Sequence, residues 1–378
     1  MSLYLAAFLL TTLASRVMGA SVGNITFLKD AARSSGAVCL DGTPAAFYLA
    51  PGAEPGKVYI HQEGGGWCAP GQNCLQRATT PLGSSKTYPP TMGFHGGYLS
   101  DDPAQNPLMA NWTKVYVKYC DGSSQTSNVD APVPVGPFII FYRGHRILKA
   151  VQDYLTTTAL ANATEVVISG CSAGGLSTYL HADSWRAALP PTVRVTALPD
   201  SGFFLAYNRS ATGYNYGSLM RLIVQQMNSS LPKNCLAANP HDPASCIFAE
   251  TISSTLETPT FALQGKYDAW QIEGGDAKLP LNDTVDINAW GAMLSARMNT
   301  TLLSQPQHGA FLDSCLHHCG GFDAFHVDGY TQATAHAAWY AGGARSLFNQ
   351  TQSYPCAACC NSTVLSNQTW AFLGDGSV

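Results

Sequence analysis

Charge is scarce in this chain. Only 12% of its 378 residues are charged, about half the usual share for a soluble protein. The net charge of -4 leaves no basic face, which argues against nucleic acid as a partner. Long apolar runs are scarce as well. Beyond residue 20 no stretch is long and apolar enough for a membrane helix, so the mature chain is expected to be soluble. No internal repeat, low-complexity tract or Pro/Ser linker divides it, and the hydrophobic content of 46% is ample for a packed interior. These absences favour one large α/β domain over residues 21–378, with embellishing loops and a Cys-rich C-terminal tail.

The chain begins with a short apolar run, Leu3 to Leu13, interrupted by Thr11 and Thr12 and followed by Ser15, Arg16 and small residues around Gly19-Ala20. Too short to span a bilayer comfortably, it reads as a secretory signal over residues 1–20, although a positively charged n-region is missing. Two other features fit export. The cysteine count is 12, an even number, as disulfides in an oxidising compartment require. Ten N-x-Ser/Thr acceptors occur, at Asn24, Asn111, Asn162, Asn208, Asn228, Asn282, Asn299, Asn349, Asn361 and Asn367. Glycans on them would supply solubility that the sparse charges do not.

The chemistry centres on Glu165-Val-Val-Ile-Ser-Gly-Cys-Ser-Ala-Gly-Gly-Leu176. A β-branched run ends at Gly170, Ser172 stands between glycines, and helical patterning begins near Gly174. This is the G-x-S-x-G nucleophile elbow, a tight strand-to-helix turn that lifts one serine hydroxyl clear of the backbone. Other strands are expected at Val58–Gln62, Val115–Tyr119, Val193–Leu198 and Thr260–Leu263, with helices at Arg143–Ala161, Gly174–Leu189 and Asp286–Leu303. Residues 200–257 read as an inserted region of short helices and turns. Alternating strands and helices imply a mostly parallel sheet covered on both faces.

A serine hydroxyl needs a base, and the base needs an orienting acid. In the order that follows a nucleophile elbow, acid and histidine come later in the chain. Asp268 lies just past the Thr260 strand, where the acid is expected; Asp276 and Asp283 sit in a polar Gly-rich loop that suits turn chemistry. The later histidines are His308, His317, His318, His326 and His336, and position alone does not choose among them. His317 and His318 share the segment Asp313-Ser-Cys-Leu-His-His-Cys319, which disulfides can pin. The same cysteines with two histidines also permit a zinc reading, disfavoured in a secreted chain whose thiols oxidise. Gly64-Gly-Gly-Trp67 follows the Val58 strand directly. The amides of Gly66 and Trp67, with that of Ala173 after the nucleophile, are the expected oxyanion donors. Tyr119, Trp270, Phe203 and Phe204 are candidate pocket walls, although aromatics at such places are as often core. Lys86, Lys118, Arg143 and Arg146 are candidate contacts for an anionic substrate.

Taken together, several segments resemble the pectin acetylesterase family, which also contains the Notum lipid esterases. They are Ala37-Val-Cys-Leu-Asp-Gly42, Gln62-Glu-Gly-Gly-Gly-Trp-Cys68, Leu82-Gly-Ser-Ser-Lys86, Tyr119-Cys-Asp-Gly-Ser123, Gly170-Cys-Ser-Ala-Gly-Gly-Leu176, Asp200-Ser-Gly-Phe-Phe204, Tyr267-Asp-Ala-Trp-Gln271 and Ser314-Cys-Leu-His-His-Cys319. The match is closer to the plant-type members than to Notum. It implies an α/β-hydrolase fold and a Ser-His-Asp triad of Ser172, Asp268 and His318, without metal or other cofactor. The choice of His318 over His317 rests on this resemblance. The implied substrate is an O-acetyl ester of a cell-wall polysaccharide, namely pectin galacturonan. Removal of a fatty acyl group from a protein, as Notum does, and a catalytically silent binding glycoprotein are the alternatives. Cysteine pairing in the tail is open, and Cys171 is expected to be buried, with a free thiol there not excluded.

Overall fold

A computed structural model describes residues 21–206, 216–274 and 277–360. The expected signal segment, the acceptors at Asn208, Asn361 and Asn367, and Asp276 lie outside the described residues. In chain order, β1 (Val22–Phe27) and β2 (Ala46–Ala50) precede β3 (Lys57–Gln62), β4 (Thr91–Gly93) and β5 (Thr113–Val117). A hairpin of β6 (Val133–Val135) and β7 (Phe138–Ile140) leads to β8 (Glu165–Cys171), β9 (Arg194–Asp200), β10 (Phe261–Asp268) and β11 (Gly309–His317). A second hairpin, β12 (His326–Val327) with β13 (Tyr330–Thr331), precedes β14 (Leu347–Asn349).

Ten strands form one sheet in the order β14-β11-β10-β9-β8-β3-β5-β2-β1-β4. Pairing is parallel from β14 to β5 and antiparallel from β5 through β2 and β1 to β4. The side-chain period of 2 sends neighbouring residues to opposite faces. Val58 and Ile60 of β3, with Val166 and Ile168 of β8, join one buried cluster, while Tyr59 and Val167 join another. The first cluster is capped by α1 (Lys29–Ser34) and by α3 (Gly144–Thr156), whose Ile147, Leu148, Val151 and Leu155 recur at helical spacing. Each such fully buried aliphatic side chain contributes about 1.5–3 kcal/mol. The helix α4 (Ala173–Ala187) leaves the end of β8, and α2 (Gln72–Arg77) follows the glycine loop after β3. The connections that carry chemistry thus emerge at the carboxyl ends of the parallel strands, where open α/β sheets place their sites.

The α/β-hydrolase reading holds, with two adjustments. Thr260–Leu263 is the start of a longer strand, so Asp268 is the last residue of β10 rather than part of a following loop. Strands β1 and β2, ahead of Val58, are additional to the expected ones, and between them Val38 and Pro44 form an isolated bridge.

Every cysteine is paired. The bonds join Cys39 to Cys120, Cys68 to Cys74, Cys171 to Cys319, Cys235 to Cys246, Cys315 to Cys360 and Cys356 to Cys359. A free Cys171 thiol is therefore ruled out: the residue is buried, as expected, but bonded to the loop after β11. Cys315 and Cys319, weighed as zinc ligands, are both cystines.

Candidate active site

Ser172 links β8 to α4 with φ 59° and ψ −123°. For a residue with a Cβ this costs on the order of 1–3 kcal/mol and persists only where the surroundings impose it. They do so by close approach. A Cβ on Gly174 would lie 2.0 Å from the Gln62 carbonyl oxygen, and one on Gly170 would lie 2.3 Å from that of Gly174. The end of β3, the elbow and the first turn of α4 thus pack backbone to backbone. The result is a serine hydroxyl held at the sheet's carboxyl edge, on a residue 7% exposed.

The glycine loop after β3 leans on the same turn. A Cβ on Gly64 would come within 3.1 Å of the Ser172 Cβ. Gly65 and Gly66 have φ 129° and 65°, and the amides of Gly66 and Trp67 donate to no acceptor among the described residues. The loop is braced from behind. The Glu63 carboxylate accepts from the Tyr119 amide at 2.8 Å and pairs with the Lys118 ammonium. The Tyr119 hydroxyl donates to the Gly66 carbonyl at 2.8 Å and accepts from the Ser124 amide at 3.0 Å. Trp67 Nε1–H donates to Ser124 Oγ at 2.8 Å, and that hydroxyl donates to the Ala173 carbonyl at 2.7 Å. Loop and elbow are one hydrogen-bonded unit. Ala173 itself opens α4, where amides of the first turn have no intrahelical partner.

Asp268 is fully buried at the end of β10. Its Oδ1 accepts from the Gln271 amide at 3.0 Å, and its Oδ2 from Gln264 Nε2 at 3.3 Å. Nδ1 of His318 lies 3.0 and 2.9 Å from the two carboxylate oxygens. A carboxylate only accepts, so Nδ1 carries the hydrogen, and in the neutral ring Nε2 then has the lone pair. That Nε2 is buried and has no hydrogen-bond partner among the described residues. A buried acceptor without a partner is the atom a proton-taking base must present.

The adjacent histidine is committed elsewhere. His317, the last residue of β11, places Nε2 3.0 and 3.1 Å from the Asp313 carboxylate oxygens. Burial alone would disfavour its cation, but the Asp313 charge and hydrogen bond outweigh that and push its pKa up to about 9. His308 accepts the Thr260 amide through Nδ1, His336 is fully buried, and His326 is exposed. Asp283, the rival acid, caps the helix Thr284–Thr300 by accepting the Asp286 amide.

Of the aromatics expected at the pocket, Phe204 and Trp270 flank the His318 ring at centroid distances of 6.1 and 6.2 Å. Phe203 is instead core, packed against Tyr179, and Tyr119 is the buried brace of the glycine loop. The four cations have partners within the protein: Lys86 with Asp41, Lys118 with Glu63, Arg146 with Asp130, and Arg143 with the Asp130 carbonyl. Sequence reasoning did not single out Gln264 and Gln271, which orient the acid, or the Asp200-Ser201 pair under the base. The bond from residue 271 comes from its backbone N–H, so its side chain carried no signal in the sequence.

Comparison with known proteins decides the lineage. A family model described as Pectinacetylesterase matches residues 18–361. The chain belongs to the pectinacetylesterase family. Among its relatives, pectin acetylesterase 11 of Arabidopsis thaliana is 35% identical over 337 residues, covering 82% of this chain and 84% of that protein. Pectin acetylesterase 7 of the same plant is also 35% identical, covering 83% and 84%. The palmitoleoyl-protein carboxylesterase notum1a of Danio rerio is 27% identical over 295 residues, 74% of this pectinacetylesterase-family chain and 58% of that protein.

Proposed function

We propose that this protein is a secreted serine esterase that removes O-acetyl groups from a cell-wall polysaccharide, pectin galacturonan, through an acetyl-enzyme on Ser172. The observation that carries the reading is the Asp268–His318 pair with its buried, unpartnered Nε2, on the same sheet edge as a serine in the elbow conformation. As the Ser172 hydroxyl attacks the acetyl carbonyl, His318 Nε2 takes its proton and Asp268 stabilises the resulting imidazolium. Amides of Gly66, Trp67 and Ala173 receive the oxyanion; one such donor contributes about 10²- to 10³-fold in turnover. The sugar alcohol leaves with the proton from His318. Water, activated by the same imidazole, then releases acetate.

The relatives' names support acetylated pectin as the substrate. Six disulfides, and no helix among the described residues long and apolar enough to cross a membrane, suit an extracellular or cell-wall location. Of the N-x-Ser/Thr acceptors among the described residues, Asn24, Asn111, Asn162, Asn228, Asn282 and Asn299 are exposed and suit glycans, whereas Asn349 lies in β14 with its Oδ1 buried. Acetate release from acetylated pectin, acetylated xylan and an aryl acetate, compared side by side, tests the substrate. Release from pectin that is lost on Ser172→Ala is expected. Activity that instead rises with acyl length would favour lipid-ester hydrolysis, and no reaction with a fluorophosphonate would reject the esterase reading.

A further inference from the structure

Nucleophile and base are 146 positions apart in the chain, counted from Ser172 to His318, yet a disulfide joins their immediate neighbours. Cys171 directly precedes Ser172 and Cys319 directly follows His318; their Cα atoms are 5.8 Å apart. Beside this bond lies a buried polar latch at the end of β9. The Cys319 amide donates to Ser201 Oγ at 2.8 Å, and that hydroxyl donates to Asp200 Oδ1 at 3.0 Å. The Gly320 amide donates to Asp200 Oδ2 at 2.9 Å, while the Asp200 carbonyl accepts the Ser172 amide at 3.0 Å. Asp200 therefore holds the nucleophile through its backbone and the base's loop through its side chain.

The backbone shows what this latch works against. Ser172, Ser201 and Cys319 have φ of 59°, 47° and 57°, all unfavourable for residues with a Cβ, and they follow the carboxyl ends of β8, β9 and β11. Cys319 is followed by Gly320 and Gly321, also at positive φ. The pairing of β10 with β11, shifted in register between Gly265 and Tyr267, stops at Asp268–His317, so His318 stands beyond the ladder. Its hydrogen bonds to Asp268 orient the ring, but they do not by themselves fix the distance from that ring to the elbow on β8. Displacing a reacting group by about 1 Å can cost about 10²-fold.

Resting on the esterase reading above, we infer that the Cys171–Cys319 disulfide and the Asp200–Ser201 pair are positioning elements that keep the His318 imidazole in register with the Ser172 hydroxyl.

Two variants of the full-length protein test this, Cys171→Ala/Cys319→Ala and Ser201→Gly. Glycine adopts φ 47° without strain, so the second variant loses the latch hydroxyl while relieving the backbone. With an aryl acetate, each should lower kcat by about 10- to 100-fold with KM within about twofold, and fluorophosphonate labelling of Ser172 should slow in parallel. A purely structural role would lower the melting temperature and leave kcat at 25 °C unchanged. A Ser201→Gly protein that is folded, reacts with fluorophosphonate at the parental rate and keeps kcat within about twofold would overturn the inference, whether or not the cysteine variant folds. If the parent protein fails to react with fluorophosphonate, it is the esterase reading that falls.

Discussion

Asp268→Asn probes the site with little change of shape, and its cost can be worked out from the partners. In the native site both carboxylate oxygens accept: one takes the Gln271 amide, the other the Gln264 side-chain amide, and both face the His318 Nδ1–H. An asparagine has one oxygen and one NH2. If the oxygen stays with the Gln271 amide, the NH2 points at Gln264 Nε2 and at the imidazole. The ring then avoids two opposed donors by moving its hydrogen from Nδ1 to Nε2. In that tautomer the nitrogen meant for Ser172 donates instead of accepting, and the hydroxyl proton has nowhere to go. The corresponding change in a Ser-His-Asp triad costs about 10⁴-fold in kcat, or about 5.5 kcal/mol in the barrier at 1.36 kcal/mol per tenfold. The assay is acetate release from an aryl acetate, beside a thermal melt. A variant that melts with the parent and keeps more than a tenth of its kcat would refute the assignment of Asp268, and with it the tautomer argument.

Three further outcomes are expected. The His317–Asp313 pair should make stability pH-dependent: with a folded pKa of about 9 against 6.5 when exposed, its contribution is fully present below pH 6.5 and lost by about pH 9. That interval corresponds to about 3 kcal/mol, and His317→Gln should flatten the fall in urea midpoint over that range; an unchanged fall would count against the pair. Measuring above pH 6.5 avoids most of the titration of Asp200, whose carboxyl burial pushes up to about 6. Gly174→Ala should yield no folded protein, because its methyl would meet the Gln62 carbonyl at 2.0 Å, whereas Gly342→Ala meets no atom and should cost only about 1–2 kcal/mol for its positive φ; equal melting temperatures for the two would contradict the close-packing account. Trp270→Ala should raise KM for acetylated pectin more than for an aryl acetate, since this half-buried ring beside His318 is placed to meet a sugar; equal effects on both substrates would argue that it only packs.

How legible the site was depended on whether its signal was local. The elbow could be read because Gly170 and Gly174 answer a steric demand within a few residues of Ser172. Asp268 could be placed because a nucleophile elbow is followed, later in the chain, by an acid near the end of a later strand. The glycine loop could be read for the same reason as the elbow, but its brace could not: Tyr119 reaches Gly66 across 53 positions, and an aromatic near a site looks alike whether it lines the pocket or supports it. Strands β1 and β2 went unread because Val22–Phe27 carries Gly23 and Asn24, which strands disfavour, and Ala46–Ala50 has no β-branched residue.

The choice between His317 and His318 marks where local spacing could not decide. Residues four apart in a regular strand share a face but stand about 13 Å apart, so the 3.0 Å contact between Asp313 and His317 coincides with the register shift of β11 opposite Gly265–Tyr267, which spacing alone does not announce. Such a pair consumes the imidazole as a buried cation and removes it from candidacy as a neutral base, whatever its distance from the serine. His318, one residue on, does not share the face of His317, since neighbouring residues point to opposite sides, and with β11 ending at His317 the strand does not fix its position, which must then be controlled. The bond from Cys319 to Cys171 supplies that control across a sequence separation of 148, and no spacing in the sequence announces it, since twelve cysteines admit many pairings. A base freed from the sheet by one residue and tethered by the next is a tertiary solution; the sequence shows its parts, and only the fold shows that they belong together.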